Sequence, residues 1–116
     1  MTSFLIVDDH PRFRALARLL LESEGYAVVG EADDGGGALT RARELSPDVV
    51  LLDVHLPDAT GFEVADRLAR EHPGATVVMT STHEGPELEC MAQRCGAAGF
   101  LPKDELSGTS LRRLLG

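Results

Sequence analysis

Residues 49–61 read VVLLDVHLPDATG. Val49–Leu52 is an unbroken run of branched apolar residues, the pattern of a strand buried on both faces of its sheet. A lone carboxylate, Asp53, follows it. Pro57, Asp58 and Gly61 then supply turn chemistry. Beyond them Phe62, Val64, Ala65 and Leu68 recur at helical spacing as far as about Glu71. The same order of strand, turn and helix repeats in both directions. Toward the N-terminus, Phe4–Val7 is an apolar run ending in Asp8-Asp9. Pro11 suits a first helical position, Phe13, Leu16, Leu19 and Leu20 share a face, and Gly25 closes that helix. Tyr26–Val29 reads as a strand and Asp34–Leu45 as a helix stopped by Pro47. Toward the C-terminus, His72-Pro73-Gly74 ends the third helix. Thr76–Met79, the helix Pro86–Cys95, the strand Ala98–Leu101 and the helix Glu105–Leu115 complete the chain. This alternation predicts an α/β fold, a doubly wound parallel sheet with helices on both faces and right-handed crossovers.

Composition bounds the function. A chain of 116 residues is one domain's length. Apolar residues make up 43% and charged residues 26%, close to ordinary globular usage. No apolar run approaches the ~20 residues that span a bilayer, and the N-terminus has neither a basic n-region nor a small-residue cleavage site. A cytoplasmic location is therefore expected. Eleven Lys plus Arg against nineteen Asp plus Glu gives −8. A surface this acidic repels a phosphate backbone, so these residues are not expected to bind nucleic acid by themselves. Cys90 and Cys95 have neither the spacing of a metal pair nor the number of a disulfide framework.

Open parallel sheets bind ligands beyond the carboxyl ends of their strands. The residues there are Asp8 and Asp9 after strand one, Asp53 after strand three, Thr80 and Ser81 after strand four, and Lys103 after strand five. Glu31, after strand two, adds nothing evident. Crowded carboxylates either take up protons or gather around a cation. An oxygen donor set with open positions suits Mg²⁺. A cation, an ammonium and a hydroxyl around one carboxylate are the parts that stabilise a transferring phosphoryl group, and a carboxylate can itself be the nucleophile. Asp53, at the end of the most apolar strand, is the candidate. Other features read as ordinary. Gly35-Gly36-Gly37 lacks the Lys-Ser/Thr of a P-loop and reads as a helix start. His10 reads as a solvated helix-start residue. Arg12, Arg14 and Arg18 read as a solvated or partner-facing helix surface.

Asp8-Asp9, the segment LLDVHLPDATG (51–61), VVMTS (77–81) and GFLPK (99–103) together resemble the receiver domain of two-component response regulators. VDDHPRFR, VVGEADDG and the KDEL stretch are most similar to the subfamily whose output is a LuxR-type (NarL-like) helix-turn-helix domain. The resemblance covers residues 1–116 as one receiver domain, with any C-terminal output domain expected outside this chain. It implies a flavodoxin-like (βα)5 fold with strand order 2-1-3-4-5. It further implies Asp53 as phosphoacceptor and metal ligand, Asp8 and Asp9 as the pair holding Mg²⁺, and the His55 backbone carbonyl as a further metal ligand. Thr80 matches the hydroxyl that moves to the phosphoryl group, Lys103 the lysine paired with a phosphoryl oxygen, and Phe100 the aromatic switch. The implied partner is a sensor histidine kinase. Met91, Ala92, Ala97 and Ala98 would belong to the face of helix four, strand five and helix five that changes on phosphorylation and can carry homodimer contacts.

Two departures stand out. Asp104 follows Lys103 where many receivers carry a proline after a cis bond, and Asp104 sets a negative charge beside the lysine. His55 is unusual at its position, and its side chain is expected to reach the phosphoryl region and alter hydrolysis. Two rival readings remain at this point. A Mg²⁺-dependent phosphohydrolase with an aspartyl-phosphate intermediate would want a second Asp at residue 55 and a cap domain. A phosphorylation-independent interaction module would lose one of the acidic pair, the acceptor or the lysine, yet all are present. The leading expectation is a domain that catalyses its own modification without turning over an external substrate.

Overall fold

A computed structural model describes residues 1–83 and 85–115. Its strands are β1 (Ser3–Val7), β2 (Ala27–Ala32), β3 (Val49–Asp53), β4 (Thr76–Ser81) and β5 (Gly99–Pro102). Its helices are α1 (Pro11–Ser23), α2 (Gly35–Leu45), α3 (Gly61–Glu71), α4 (Pro86–Arg94) and α5 (Gly108–Leu115). The five strands form one parallel sheet in the order β2-β1-β3-β4-β5, as the sequence leads one to expect.

Alternation along the central strands sorts the core into two layers. Leu5, Val7, Val50, Leu52, Val77 and Met79 face Ala38 and Ala42 of α2, Val64, Ala65 and Leu68 of α3, and Ala92 of α4. Phe4, Ile6, Val49, Leu51 and Val78 face Ala17 and Leu21 of α1 and Leu111 of α5. Burial on both sides is why β1 and β3 need apolar residues at successive positions. The helices are anchored unequally. In α4 Ala92 alone is fully buried, Met91 is exposed, and no side chain caps the N-terminus at Gly85.

Several boundaries differ from the sequence reading, among them β4, which runs on to include Thr80 and Ser81, and three differ for a clear local reason. The last helix starts at Gly108 rather than Glu105. Lys103–Glu105 forms a 3₁₀ turn, and the Ser107 hydroxyl accepts the Ser110 N–H at 3.0 Å, an N-cap that opens the helix there. Strand β2 runs on to Ala32. Its pairing with β1 skips Val29 between Phe4 and Leu5, a bulge that leaves Val29 exposed. Helix α1 stops at Ser23, and the turn passes through Gly25 at φ 91°, where a side chain would be strained. All peptide bonds among the described residues are trans, including the one before Asp104.

The loop after β3 is fastened at several points. Asp58 accepts N–H groups from Gly35 at 2.7 Å and Gly36 at 3.0 Å, which puts a carboxylate on the N-terminus of α2. The Gly-Gly-Gly segment is thus a helix start, as read. Asp34 also caps that helix, through the Gly37 N–H. Thr60 caps α3 through the Glu63 N–H, with the Glu63 carboxylate 3.2 Å from the Thr60 hydroxyl. Gly61 N–H donates back to the Val54 carbonyl at 2.6 Å.

Candidate phosphoacceptor and metal site

The carboxyl ends of β1, β3, β4 and β5 bring the expected groups together. Asp53 ends β3 and is 2% exposed. One of its oxygens, Oδ1, accepts the His55 N–H at 3.2 Å. The other, Oδ2, lies 3.4 Å from Lys103 Nζ. Lys103 stands closer to Asp8, with Nζ 2.6 Å from Asp8 Oδ2. That contact is an ion pair off the direction of a hydrogen bond. Asp8 is fully buried and Asp9 is partly exposed. Thr80 is paired with Asp53 across the β3–β4 ladder. It is 1% exposed, and its hydroxyl has no hydrogen-bond partner among the described residues. Phe100, paired with Met79, packs half-buried against the α2–α3–α4 layer and lines a cleft of about 320 Å³ with Pro86 and Glu89 of α4.

Several neighbours escaped the sequence reading. His10, taken there as solvated, places Nδ1 3.0 Å from Asp8 Oδ1 and 3.2 Å from Asp9 Oδ1. Its adjacency to the acidic pair was the available signal. Phe13 sits under the lysine, with Nζ 4.5 Å from the ring centroid, near enough for a cation–π contact. Arg14 and Arg18 are not a free helix surface, since both pair with Glu31, at 3.0 and 2.8 Å. Arg14 also donates to the Asp8 carbonyl. Glu31 therefore fixes α1 to β2 beside the acidic pair. The His55 ring turns toward His83, edge to face, with centroids 5.7 Å apart. Both cysteines are free thiols, and burial pushes the Cys95 thiol up.

Electrostatics at Asp53 favour the protonated carboxyl. Burial, then the nearby Asp8 charge, raises its pKa above the ordinary 3.8, against the opposing pull of the His55 amide and Lys103. A carboxyl whose folded-state pKa is raised contributes stability that is complete below 3.8 and lost as pH rises through the raised value. Asp48, Asp58 and Glu71 are shifted the other way, chiefly by hydrogen bonds from Ser3, Gly35 and Arg67 respectively. Their contribution is present above the ordinary values of 3.8 and 4.5 and is lost as pH falls through the lowered ones. The protein without divalent cations is therefore expected to lose the Asp53 contribution to stability as pH rises above the ordinary carboxyl value of 3.8. Asp53→Asn should flatten that limb of a urea-midpoint against pH profile. An unchanged slope would show that Asp53 is not its source.

Asp8, Asp9, His10 and Asp53 each offer a ligand atom, all within 4.8 Å of one another. Two of the carboxylates are buried, and Asp53 is held in a setting that disfavours its own charge. A cation among them would relieve both, so the residues present fit a divalent metal ion.

Comparison with known proteins agrees with this arrangement. The model of the response regulator receiver domain matches residues 4–114. The response regulator GacA of Pseudomonas viridiflava is 41% identical over 104 residues, covering 89% of this chain and 49% of GacA. The virulence transcription regulator BvgA of Bordetella pertussis is 44% identical over 105 residues, covering 87% of this chain and 48% of BvgA. The chain spans about half the length of these curated relatives. Among solved structures, a LuxR-family response regulator from Aurantimonas sp. SI85-9A1 superposes with a TM-score of 0.88 at 34% identity, covering 97% of this chain and 81% of that one. The signal receiver domain of the response regulator NarL from Mycobacterium tuberculosis gives 0.86 at 38%, covering 99% and 97%. Matched along nearly its whole length, and carrying its carboxylates, hydroxyl and lysine at one sheet edge, this chain belongs to the response regulator receiver domain family.

Proposed function

We propose that this receiver domain accepts a phosphoryl group on Asp53 from a sensor histidine kinase and passes the change to its α4–β5–α5 face. The observation that carries this reading is the buried Asp53 carboxylate, which shares one ammonium, Lys103, with Asp8. A carboxylate oxygen of Asp53 forms the new O–P bond in line with the P–N bond of a phosphohistidine. That bond breaks as the imidazole leaves with its electron pair. Asp8, Asp9, Asp53 and the His55 carbonyl would hold Mg²⁺, which would supply charge neutralisation to the transferring group. Lys103 is drawn from Asp8 toward a phosphoryl oxygen, a short move given that it already reaches Asp53 Oδ2 at 3.4 Å.

The Thr80 hydroxyl, buried without a partner, gains one in the phosphoryl group. Phe100 follows it, changing the cleft against α4. Phosphorylation then acts as a population shift, because the phosphoryl group binds one arrangement better than the other. The output it controls is transcriptional and DNA-binding, in keeping with the transcription regulators it resembles, and a homodimer through α4–β5–α5 is its simplest readout. The setting is cytoplasmic, where the kinase's catalytic parts and ATP meet. The domain turns over no external substrate.

The test is intact-protein mass after incubation with Mg²⁺ and acetyl phosphate, and then with a phosphorylated histidine kinase. Wild type should gain one phosphoryl group and Asp53→Asn none. No gain with either donor would overturn the reading and leave a partner-binding module. A gain retained by Asp53→Asn would move the acceptor elsewhere. His55→Asn should change the rate at which that mass is lost, because it replaces an exposed ring two residues after Asp53 that stands edge to face with His83. An unchanged rate would remove His55 from phosphoryl lifetime.

A further inference from the structure

The proposed metal site has oxygen donors from three carboxylates and one carbonyl. His10 adds something those donors do not. Its imidazole is the one nitrogen ligand in the cluster of Asp8, Asp9, His10 and Asp53, on a residue whose backbone is fixed at the start of α1. His10 is the N-cap residue of α1, followed by Pro11 at the first helical position, and its own N–H donates to Asp8 Oδ1 at 2.8 Å. The ring therefore returns toward the carboxylate that its backbone already holds.

The ring's contacts, a hydrogen bond and an ion pair as they stand, are also spaced as neighbouring ligands on one ion would be. Ligand atoms about 2.1 Å from an octahedral ion stand about 3.0 Å apart when they are neighbours on it. Nδ1 lies 3.0 Å from Asp8 Oδ1 and 3.2 Å from Asp9 Oδ1. A second observation points to an unfilled need at the same place. Asp8 is fully buried, and its Oδ2 has no hydrogen-bond partner among the described residues. Mg²⁺ prefers oxygen alone, whereas imidazole suits the borderline transition ions.

We infer that His10 is a metal ligand through Nδ1, and that it turns this site from a plain Mg²⁺ site into a mixed nitrogen and oxygen site favouring later divalent transition ions such as Co²⁺ and Ni²⁺ over Mg²⁺. The inference rests on the metal reading given under the proposed function and specifies the ion class. Its consequence is that the identity of the divalent ion supplied to this domain is read by a residue outside the acidic pair.

The experiment uses Mn²⁺ as the probe and does not depend on phosphorylation. Electron spin echo modulation of Mn²⁺ bound to the protein should show a coupled nitrogen that changes when histidine alone is labelled with ¹⁵N. His10→Gln should abolish it, and His55→Gln and His83→Gln should retain it. In competition titrations His10→Gln should lower the ratio of Co²⁺ to Mg²⁺ affinity about tenfold. Folding of the variant is checked by its circular dichroism, and His10 is mostly solvent-exposed, with 62% of its side chain accessible. Bound Mn²⁺ with no histidine nitrogen would overturn the inference and leave the oxygen-ligated reading intact. No bound Mn²⁺ or Mg²⁺ at all would overturn both. A histidine coupling that survives His10→Gln would assign the nitrogen to another ring and overturn the role of His10.

Discussion

Gly61→Ala is expected to damage stability and phosphorylation together. An added Cβ would stand 2.2 Å from the Asp53 carbonyl oxygen, 2.8 Å from Val54 Cα and 2.9 Å from Met79 Cε. The methionine end can move. The two backbone atoms belong to the central strand and to the residue after the proposed acceptor, and they cannot retreat without shifting the sheet. Overpacking of this kind costs about 1–3 kcal/mol and more where relaxation is blocked, so the upper end of that range is expected in urea unfolding. The same displacement moves Asp53 relative to Lys103 and Asp8, so the initial rate of phosphorylation from acetyl phosphate should fall at least tenfold even at temperatures where the variant is folded. Loss of stability with an unchanged rate would show that the strain is absorbed in α3 and never reaches the site.

Lys103→Met should be at least as costly. The ammonium is the counter-charge for the fully buried Asp8 and the nearly buried Asp53. Removing one partner of a buried ion pair typically costs about 3–5 kcal/mol, because the remaining charge is left uncompensated. Two carboxylates are left here rather than one. The variant should unfold at lower urea at neutral pH and recover part of the loss on acidification, as the carboxyls take up protons. Adding Asp8→Asn should restore most of the stability, and saturating Mg²⁺ should do so without any second substitution, by linkage. Additive losses in the double variant would mean that Lys103 acts through its packing on Phe13 rather than through charge.

Different residues were legible to different degrees. The five strands and their helices could be read because sheets buried on both faces demand apolar runs. Those runs end in residues that cannot be buried without a purpose, Asp8, Asp53 and Thr80, with Lys103 beside them. Strand ends also fix the direction of the site, so its convergence followed from the topology. The part that could not be read depends on where side chains go once the strand ends. Nothing in the spacing shows that Asp58 reaches back to Gly35 and Gly36, since the contact joins segments 23 and 22 residues apart. Glu31 gained its partners only because β2 runs further than its apolar residues indicate, as far as Ala32, bringing the carboxylate level with Arg14 and Arg18. His10 was passed over because a histidine before a proline is common at helix starts, and its ring direction is a rotamer rather than a pattern. The onset of α5 moved for a similar reason: Ser107 outcompeted Glu105 as the start by capping the helix.

The uneven anchoring of the helices carries an energetic meaning of its own. Helix α4 has one fully buried side chain, against four residues in α3, and its first turn has no side-chain cap. Local opening free energies scale with such attachments. In native-state hydrogen exchange α4 should open as a separate, low-cost unit while β1, β3 and α3 exchange only through complete unfolding. The molecule then behaves as a rigid block with one loosely attached element, and that element lies over the Phe100 cleft. An event at the sheet edge therefore needs to supply only the small energy of repositioning α4, not the larger energy of disturbing the core.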